Sequence, residues 1–531
     1  MTTFARAPCD EGVIQAGPRA VADCVEKAKP WVLATTILGS SMAFIDGSVV
    51  GVALPAIQAD LNASLRETQW VVNAYMLMLG ALILVGGAAG DRFGRRSMFI
   101  LGVTTFTIAS VACGFAPGAF SLTVARAAQG IGGAILVPSS LAIISATFPE
   151  KERGRAIGTW AGASALTTAL GPVLGGWLVD AFSWRAIFFV NVPIALVAVL
   201  IAFWRVPESR GTSDNAGVDW PGALFATAGL GALVYGLTAA SEMGWADAKV
   251  IGGVAAGLAI LATFVWFESK TPAPMMPLSV FHSRSFSGAN AITLLLYFAL
   301  GAAMFFLPFN LIRLQGYSAA QAGASFLPFT LIMGGLSRWS GGLFERYGAR
   351  GPLTVGPIIV SAGFVLLALP GIGGSYSGTF LPAMAVLGFG MAVSVAPLTT
   401  TVMDSVDERH AGVASGINNA TARVAGALAV ALLGAVAVSV MRNALDHRLP
   451  ELHVAPALAR AMYEQTARLA EARVPLEASG AERSALSRAL AESFLTSFRV
   501  SMLLAAGLAL LSACCAWLTI ESHSKRRPRD Q

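Results

Sequence analysis

Runs of about twenty apolar residues recur along nearly the whole chain of 531 residues. Each run is long enough to cross the roughly 30 Å hydrocarbon core of a bilayer as an α-helix. Strands of a membrane β-barrel would be about ten residues long with alternating polarity, and these runs do not alternate. Only 12% of the residues are charged, about half the share of a soluble domain. The sequence therefore predicts an all-α polytopic membrane protein.

Fourteen spans are predicted, and the charges of the short loops predict their orientation. The approximate bounds of the spans are 31–54, 69–89, 98–116, 119–147, 156–179, 187–206, 221–240, 250–267, 288–312, 320–340, 352–370, 379–403, 412–441 and 496–520. An even number of spans places both termini on one side. With a cytoplasmic N-terminus, the short inner loops hold thirteen Lys or Arg residues and the short outer loops hold four. This bias predicts cytoplasmic termini in a bacterial-type inner membrane.

A weak internal repeat indicates two related halves. GGAAGDRFGRR (86–96) follows the second span and GGLFERYGAR (341–350) follows the tenth. Both contain a Gly, three residues, an acid, an Arg, an aromatic residue and a Gly, and internal repeats are characteristic of secondary transporters. The predicted units are a cytoplasmic tail (1–30), a six-helix bundle (31–206), two linking helices (207–270), a second six-helix bundle (271–520) and a basic cytoplasmic tail (521–531).

One segment on the outer side is too long for a plain connector. Residues 442–495 carry seven Arg residues and seven acidic residues, and they are rich in Ala and Leu. We predict two short amphipathic helices packed as an outer hairpin. The segment is interpreted either as a solvated cap that links two spans or as a gate or docking surface.

The chain lacks the motifs of an energy-coupling nucleotide site. No GxxxxGK[ST] loop is present, so nothing is expected to cradle ATP phosphates. No nucleophile and base set or cluster of metal ligands stands out, which argues against an enzyme and against a metal or other cofactor. Basic residues on the cytoplasmic side account for the net charge of +6 without a nucleic-acid partner. Transport, if that is the function, is therefore expected to be driven by a gradient.

Charged residues inside a membrane are rare and costly, about 2.5 to 3.5 kcal/mol each for a central Asp, Arg or Lys. The clear cases are Asp46, Arg126 and Arg423, with Arg338 near the inner end of the tenth span. Asp46 and Arg126 lie about 12 Å and 10 Å from the outer ends of their spans, from the helical rise. They are therefore predicted to pair. The pair is either purely structural or, as we favour, a switch in which separation from the Arg lets the Asp take a proton.

Four stretches carry further motifs: IDGSVVGVALP (45–55), GAAGDRFGRRSMF (87–99), LTVARAAQGIGGA (122–134) and GPVLGG (171–176). Together they resemble the motifs of the fourteen-helix drug:proton antiporters of the major facilitator superfamily, the EmrB/QacA-like branch. The resemblance implies two pseudo-symmetric six-helix bundles with two inserted central helices. It also implies proton-coupled export of amphipathic small molecules by alternating access.

The resemblance assigns roles to individual residues. Asp46 and Arg126 match the residues of proton coupling. The gating loop between the second and third helices corresponds to Gly87, Asp91, Arg92, Gly94, Arg95 and Arg96. Its counterpart in the second half is Glu345, Arg346 and Gly348, from the internal repeat. The fifth-helix motif of exporters corresponds to Gly171, Pro172, Gly175 and Gly176, where the alternative is ordinary membrane-helix packing.

Substrate contacts are expected in a mainly apolar and aromatic cavity. The candidates are Asn73, Tyr75, Tyr297 and Phe305. The tenth span holds no acid, so a second carboxylate for divalent organic cations is not expected. The expected partners are a small molecule, protons and the bilayer, and a periplasmic adaptor is a further candidate. Two alternatives remain: a dedicated metabolite, amino-acid or siderophore exporter, and a non-transporting membrane sensor or enzyme.

Overall fold

A computed structural model describes most of the chain. The described residues are 18–210, 219–272, 274–406, 411–452, 454–466, 469, 472–474, 478 and 480–521. Within them, only the backbone is described at 18–27, 150, 151, 153–155, 158, 161, 165, 169, 337, 338, 341, 345, 411, 412 and 481. The start of the predicted N-terminal tail and most of the basic C-terminal tail therefore lie outside the described residues.

Fourteen helices in the described part are long and apolar enough to cross a membrane, and we label them α1 to α14. The first seven are Pro18–Asp60, Leu65–Phe93, Arg95–Gly114, Ala119–Thr147, Glu150–Ala181, the broken helix Ala186–Phe189 with Asn191–Arg205, and Trp220–Met243. The other seven are Ala248–Glu268, Arg284–Phe309, the broken helix Ala319–Ala324 with Leu327–Tyr347, Arg350–Ala368, Phe380–Asp404, Ala411–Arg448 and Gly480–Thr519. A π-helical turn, Asn310–Leu314, extends α9.

The internal repeat forms the same local structure twice. Helix α2 ends at Gly94 with φ +110°, and α10 ends at Gly348 with φ +70°. These positive φ values favour glycine, because a side chain would crowd the backbone there. In both places the next helix begins within two residues, at Arg95 and at Arg350. The repeated Gly therefore makes a tight reversal between two membrane helices.

The helices pack as two groups joined by a bridging pair. In the first group α2 packs on α4, α4 on α3, and α1 on α5. In the second group α11 packs on α12 and α14, and α9 packs on α13. Helices α7 and α8 pack on each other, and α7 also contacts α2 and α13. Helix α7 thus lies against the seam that α2 and α13 form between the groups, and α8 packs on α7.

The segment 442–495 differs from its predicted shape. It contains one separate α-helix, Pro456–Gln465, among its described residues, whereas its last part is the beginning of α14. Residues 481–495 contain no Gly or Pro, so nothing interrupts the helix. Leu486, Leu490 and Phe494 recur at helical spacing and are buried. We call the side of the molecule that carries residues 442–495 the hairpin side, after the predicted hairpin, and the opposite side the termini side.

Candidate functional site

An ion pair lies in the interior of the first helix group. The Arg126 Nη1 of α4 donates to Asp46 Oδ2 of α1 at 2.5 Å. Gln129 Nε2, one turn along α4, donates to Asp46 Oδ1 at 2.9 Å. All three side chains are almost completely buried, with Asp46 and Gln129 at 0% exposure and Arg126 at 2%. Both carboxylate oxygens therefore have a donor, which a buried carboxylate requires.

The guanidinium of Arg126 is held from several directions. Its Nη1 also donates to Gln129 Oε1 at 2.7 Å, and its Nε donates to the Val71 carbonyl of α2 at 3.2 Å. The Tyr75 ring lies under it, 4.2 Å from the guanidinium carbon to the ring centroid. A buried ion pair is maintained only when such hydrogen bonds offset the loss of hydration. Removal of either partner would leave a charge without compensation.

Gln129 is a functional candidate that the sequence reasoning missed. It stands three residues after Arg126, so both side chains emerge from one face of α4. The signal was a second polar side chain beside an intramembrane Arg in an apolar span. Cys113 Sγ also lies 3.7 Å from Gln129 Oε1, which places α3 at the same site.

The predicted gating loop lies at the termini side, at the α2–α3 reversal. Asp91 Oδ1 accepts from Arg95 Nε at 2.9 Å and from Arg95 Nη2 at 2.8 Å. Arg95 Nη1 donates in turn to the Ala142 carbonyl of α4 at 3.3 Å. Arg92 is exposed beside the ring of Phe93. The loop thereby ties the ends of α2, α3 and α4 together.

Glu208, which the sequence reasoning also missed, caps α3. Its Oε1 accepts from the Arg96 backbone N at 2.9 Å, and its Oε2 accepts from the Ser97 backbone N at 3.1 Å. A carboxylate at this position satisfies unpaired N–H groups and favours the helix dipole. Arg96 Nη1 donates to the Val206 carbonyl at 3.0 Å. The segment after α6 is therefore fastened to the gating loop.

The second-half counterpart of the gating loop occupies the end of α10. Arg346 is exposed and lies against the ring of Tyr347, and Gly348 makes the reversal described above. The side chain of Glu345 lies outside the described residues, as does that of Arg338. Gly87 lies at the α2–α4 contact, where a Cβ would stand 3.7 Å from Pro138 Cβ.

The fifth-helix motif lies where α5 meets two other helices. A Cβ at Gly171 would collide with the Ser48 hydroxyl of α1, and one at Gly175 with the Val49 side chain. A Cβ at Gly176 would collide with the Ala319 carbonyl of α10. The small residues thus let α5 approach helices of both groups closely.

Helices α5 and α10 contact each other closely on the hairpin side. The Pro172 carbonyl stands where a Cβ of Gly323 would be. Asp180 Oδ1 accepts from the Ala319 N at 3.2 Å, and its Oδ2 accepts from the Ala320 N at 2.8 Å. Asp180 was not among the predicted residues. We call these residues, Pro172, Asp180, Ala319, Ala320 and Gly323, the hairpin-side gate.

The four cavity candidates lie in different environments. Tyr75 is buried against Arg126 and donates to the Ala43 carbonyl at 3.4 Å. Asn73 is fully buried, and neither polar atom of its side chain has a hydrogen-bond partner among the residues that the structure describes. Phe305 is buried against other Phe rings of α9, whereas Tyr297 is half-buried. Their role in substrate binding stays a prediction.

Comparisons with known proteins agree with this architecture. A family model of the Major Facilitator Superfamily matches residues 36–430. The tetracenomycin C resistance and export protein of Streptomyces glaucescens is 31% identical over 512 residues, which cover 95% of this chain and 94% of that protein. The multidrug resistance protein Stp of Mycobacterium tuberculosis is 34% identical over 418 residues, 78% of this chain and 77% of that protein.

A solved structure shows the same fold. It is a bacterial homologue of the human lysosomal transporter Spinster in an inward-facing and occupied conformation. The TM-score is 0.62 at 18% sequence identity, and the match covers 93% of this chain and 97% of that one. The fourteen apolar helices, the family match and this likeness describe a multi-pass membrane transporter rather than an enzyme. The chain belongs to the major facilitator superfamily.

Proposed function

We propose that the protein is a proton-coupled efflux transporter that exports amphipathic small molecules by alternating access. Two relatives are named for resistance or export, which supports efflux of a drug-like compound. The observation that carries proton coupling is the fully buried pair of Asp46 and Arg126. An intramembrane ion pair of this kind marks a functional site more often than a structural one.

The proposed proton step uses the hydrogen bonds of the pair. When Asp46 takes a proton, its charge disappears and the bond from Arg126 loses its electrostatic component. The guanidinium is then a buried cation without a counter-charge, which is strongly unfavourable. Movement of α1 relative to α4 relieves this cost by admitting water or an anion to the guanidinium. Loss of the proton restores the pair and the original packing.

The hairpin-side gate supports a state that is open toward the termini side. Helices α5 and α10 meet there, and Arg313 Nη2 of the π-helical turn that extends α9 donates to the Pro55 carbonyl of α1 at 3.3 Å. With the termini in the cytoplasm, as the loop charges indicate, this state would load substrate from the cytoplasm. Proton uptake from the outside would accompany substrate release after the gate opens.

Uptake by inverted membrane vesicles tests the proposal. A panel of amphipathic dyes and antibiotics is offered under an imposed pH gradient to wild type, Asp46→Asn and Asp60→Asn. Asp60 lies near the end of the same helix, half-exposed, in a surface ion pair with Arg185, so it is a matched control. We expect gradient-driven uptake for wild type and Asp60→Asn and its loss in Asp46→Asn.

Two results would contradict the proposal. Unchanged proton dependence in Asp46→Asn would remove Asp46 from coupling. Absence of gradient-driven uptake by wild type over the whole panel would remove polyspecific efflux. Transport confined to one chemical class would instead favour a dedicated exporter.

A further inference from the structure

A second intramembrane cation, Arg423 on α13, has no part in the proton step proposed above. It lies within the spanning segment Val413–Leu452. A Cβ built on Gly80 of α2 would stand 3.1 Å from the Arg423 Cβ, so the side chain starts at the seam between the two helix groups. Gly80 stands five residues along α2 from Tyr75, whose ring contacts the Arg126 guanidinium. Arg423 therefore lies near the level of the ion pair.

The Arg423 side chain is partly buried and makes no hydrogen bond or ion pair with any residue that the structure describes. A charged group in a spanning segment is tolerated where it faces a water-filled cavity or a partner. The helix face that bears it is turned toward other helices: three residues on, Gly426 lies against Met76 of α2 and Gly301 of α9. The guanidinium therefore faces the space between the groups.

The neighbouring surface offers polar groups and no described carboxylate. Asn418 Nδ2 of α13 donates to Thr293 Oγ1 of α9 at 2.6 Å, and Thr421 Oγ1 donates to Asn290 Oδ1 at 3.4 Å. Tyr297 stands one turn beyond Thr293 on α9. These residues give the α9–α13 seam hydrogen-bonding and aromatic surface beside one positive charge.

The charges near the middle of the membrane do not balance. Asp46 is matched by Arg126, and both of its oxygens already accept hydrogen bonds. Arg423 adds a positive charge that no described acid offsets. An anionic group from outside the chain would complete this site, because a guanidinium binds carboxylates in a bidentate geometry.

We propose that Arg423 binds an anionic group of the transported molecule, so that the preferred substrates are amphipathic acids: an ionised carboxylate or acidic phenol on an apolar, ring-containing body. The proposal rests on the proposed transport function and specifies its substrate class. The acid group pairs with Arg423, and the rings lie on the aromatic surface beside Tyr297. Wild type should therefore favour an acid over an uncharged molecule of the same shape.

Binding of two matched probes to the purified full-length protein in nanodiscs tests this assignment. The probes are 1-pyrenebutyrate and 1-pyrenebutanol, which share the pyrene body, and energy transfer from the protein's Trp residues reports occupancy. Empty nanodiscs correct for partition into lipid. We expect wild type to bind the carboxylate roughly tenfold more tightly than the alcohol, as a charge-assisted contact implies. Arg423→Gln should lose this preference and keep the affinity for the alcohol.

Two further variants make the result specific. Arg423→Lys retains the charge and should keep part of the preference. Arg442→Gln removes an Arg from the hairpin-side end of the same helix, where it lies against Tyr463, and should behave as wild type. Retained binding of 1-pyrenebutanol shows that each variant is folded.

The inference is overturned if wild type binds neither probe, if it binds both equally, or if Arg423→Gln keeps the preference. The measurement uses no proton gradient, so its outcome is separate from that of the vesicle assay. A carboxylate preference without gradient-driven transport would leave the site standing and overturn the proposed function. Proton-driven transport of uncharged compounds without a carboxylate preference would overturn the Arg423 site and leave the proposed function standing.

Discussion

Replacement of Asp180 by Ala should weaken the hairpin-side gate. This carboxylate, on the end of α5, accepts hydrogen bonds from the backbone N–H groups of Ala319 and Ala320 at the start of α10. Helix α10 has its own cap as well, because Ser318 Oγ accepts from Gln321 N at 3.2 Å. The bonds to Asp180 therefore add a link between the two helix groups, and in the proposed transport cycle they exist only while the gate is closed.

The size of the effect follows from the geometry. A capping side chain contributes about 0.5 to 2 kcal/mol. Asp180 is exposed, so we take about 1 kcal/mol for its loss. In the open state the two N–H groups are hydrated in wild type and in Asp180→Ala alike. The whole free-energy difference between the two proteins therefore falls on the closed state. Asp180→Ala should therefore raise the ratio of open to closed molecules about fivefold.

Distances between spin labels on the hairpin side report this ratio. Labels at Phe182 of the first group and Ser377 of the second, both exposed, are attached in a background whose five native cysteines are replaced by alanine. Asp247→Ala is the control, because Asp247 caps α8 on the same side through Lys249 N at 2.7 Å without joining the groups. Equal distance distributions for Asp180→Ala, Asp247→Ala and the unsubstituted background would refute the reasoning.

Three further substitutions test the gate, a helix cap and a buried acid pair. Gly323→Ala places a Cβ against a backbone carbonyl of α5 and should lengthen the same label distance, whereas Gly342→Ala, with nothing within 4 Å, should not. Glu208→Ala removes the cap of α3, which should lower the free energy of unfolding by about 1 kcal/mol and with it the melting temperature in detergent. An unchanged melting temperature would show that the cap does not stabilise the protein. Glu268 and Asp219 are both buried, and one carboxylate oxygen of each has no donor within the described part of the chain. Glu268→Gln should therefore raise the melting temperature at pH 8, because its amide can donate to Asp219, and a fall would count against this.

The pairing of Asp46 with Arg126 could be predicted because the membrane makes charge so costly. Few charged residues lie inside the spans, each needs a partner or a water-filled cavity, and depth along a helix follows from the sequence by the helical rise. Their geometry agrees with that prediction. Gln129 was harder to find, since a neutral amide in a span carries a smaller cost and Ser, Thr and Asn residues are common in these helices.

Asp180 and Glu208 could not be identified from the sequence for a different reason. Both lie near helix ends, where an acid is inexpensive and ordinary. Their partners are remote in the chain, with Ala320 lying 140 residues from Asp180. Nor does hydropathy indicate where α14 begins, because residues 480–495 are amphipathic and form a helix that extends beyond the apolar run. The contacts of Asp180 and Glu208 depend on how helices that are remote in sequence meet in three dimensions.

The fifth helix connects the ion pair to the hairpin-side gate. Ser48 and Val49 follow Asp46 by two and three residues, and they press against Gly171 and Gly175 of α5. On another face, Gly176 of α5 meets the start of α10. Where a glycine lets a helix approach this closely, no side chain is present to absorb a displacement, so a shift of one helix moves its neighbour. We infer that a movement of α1 caused by protonation of Asp46 passes directly to the contact between α5 and α10, which makes the fifth-helix motif the link that a proton-driven gate needs.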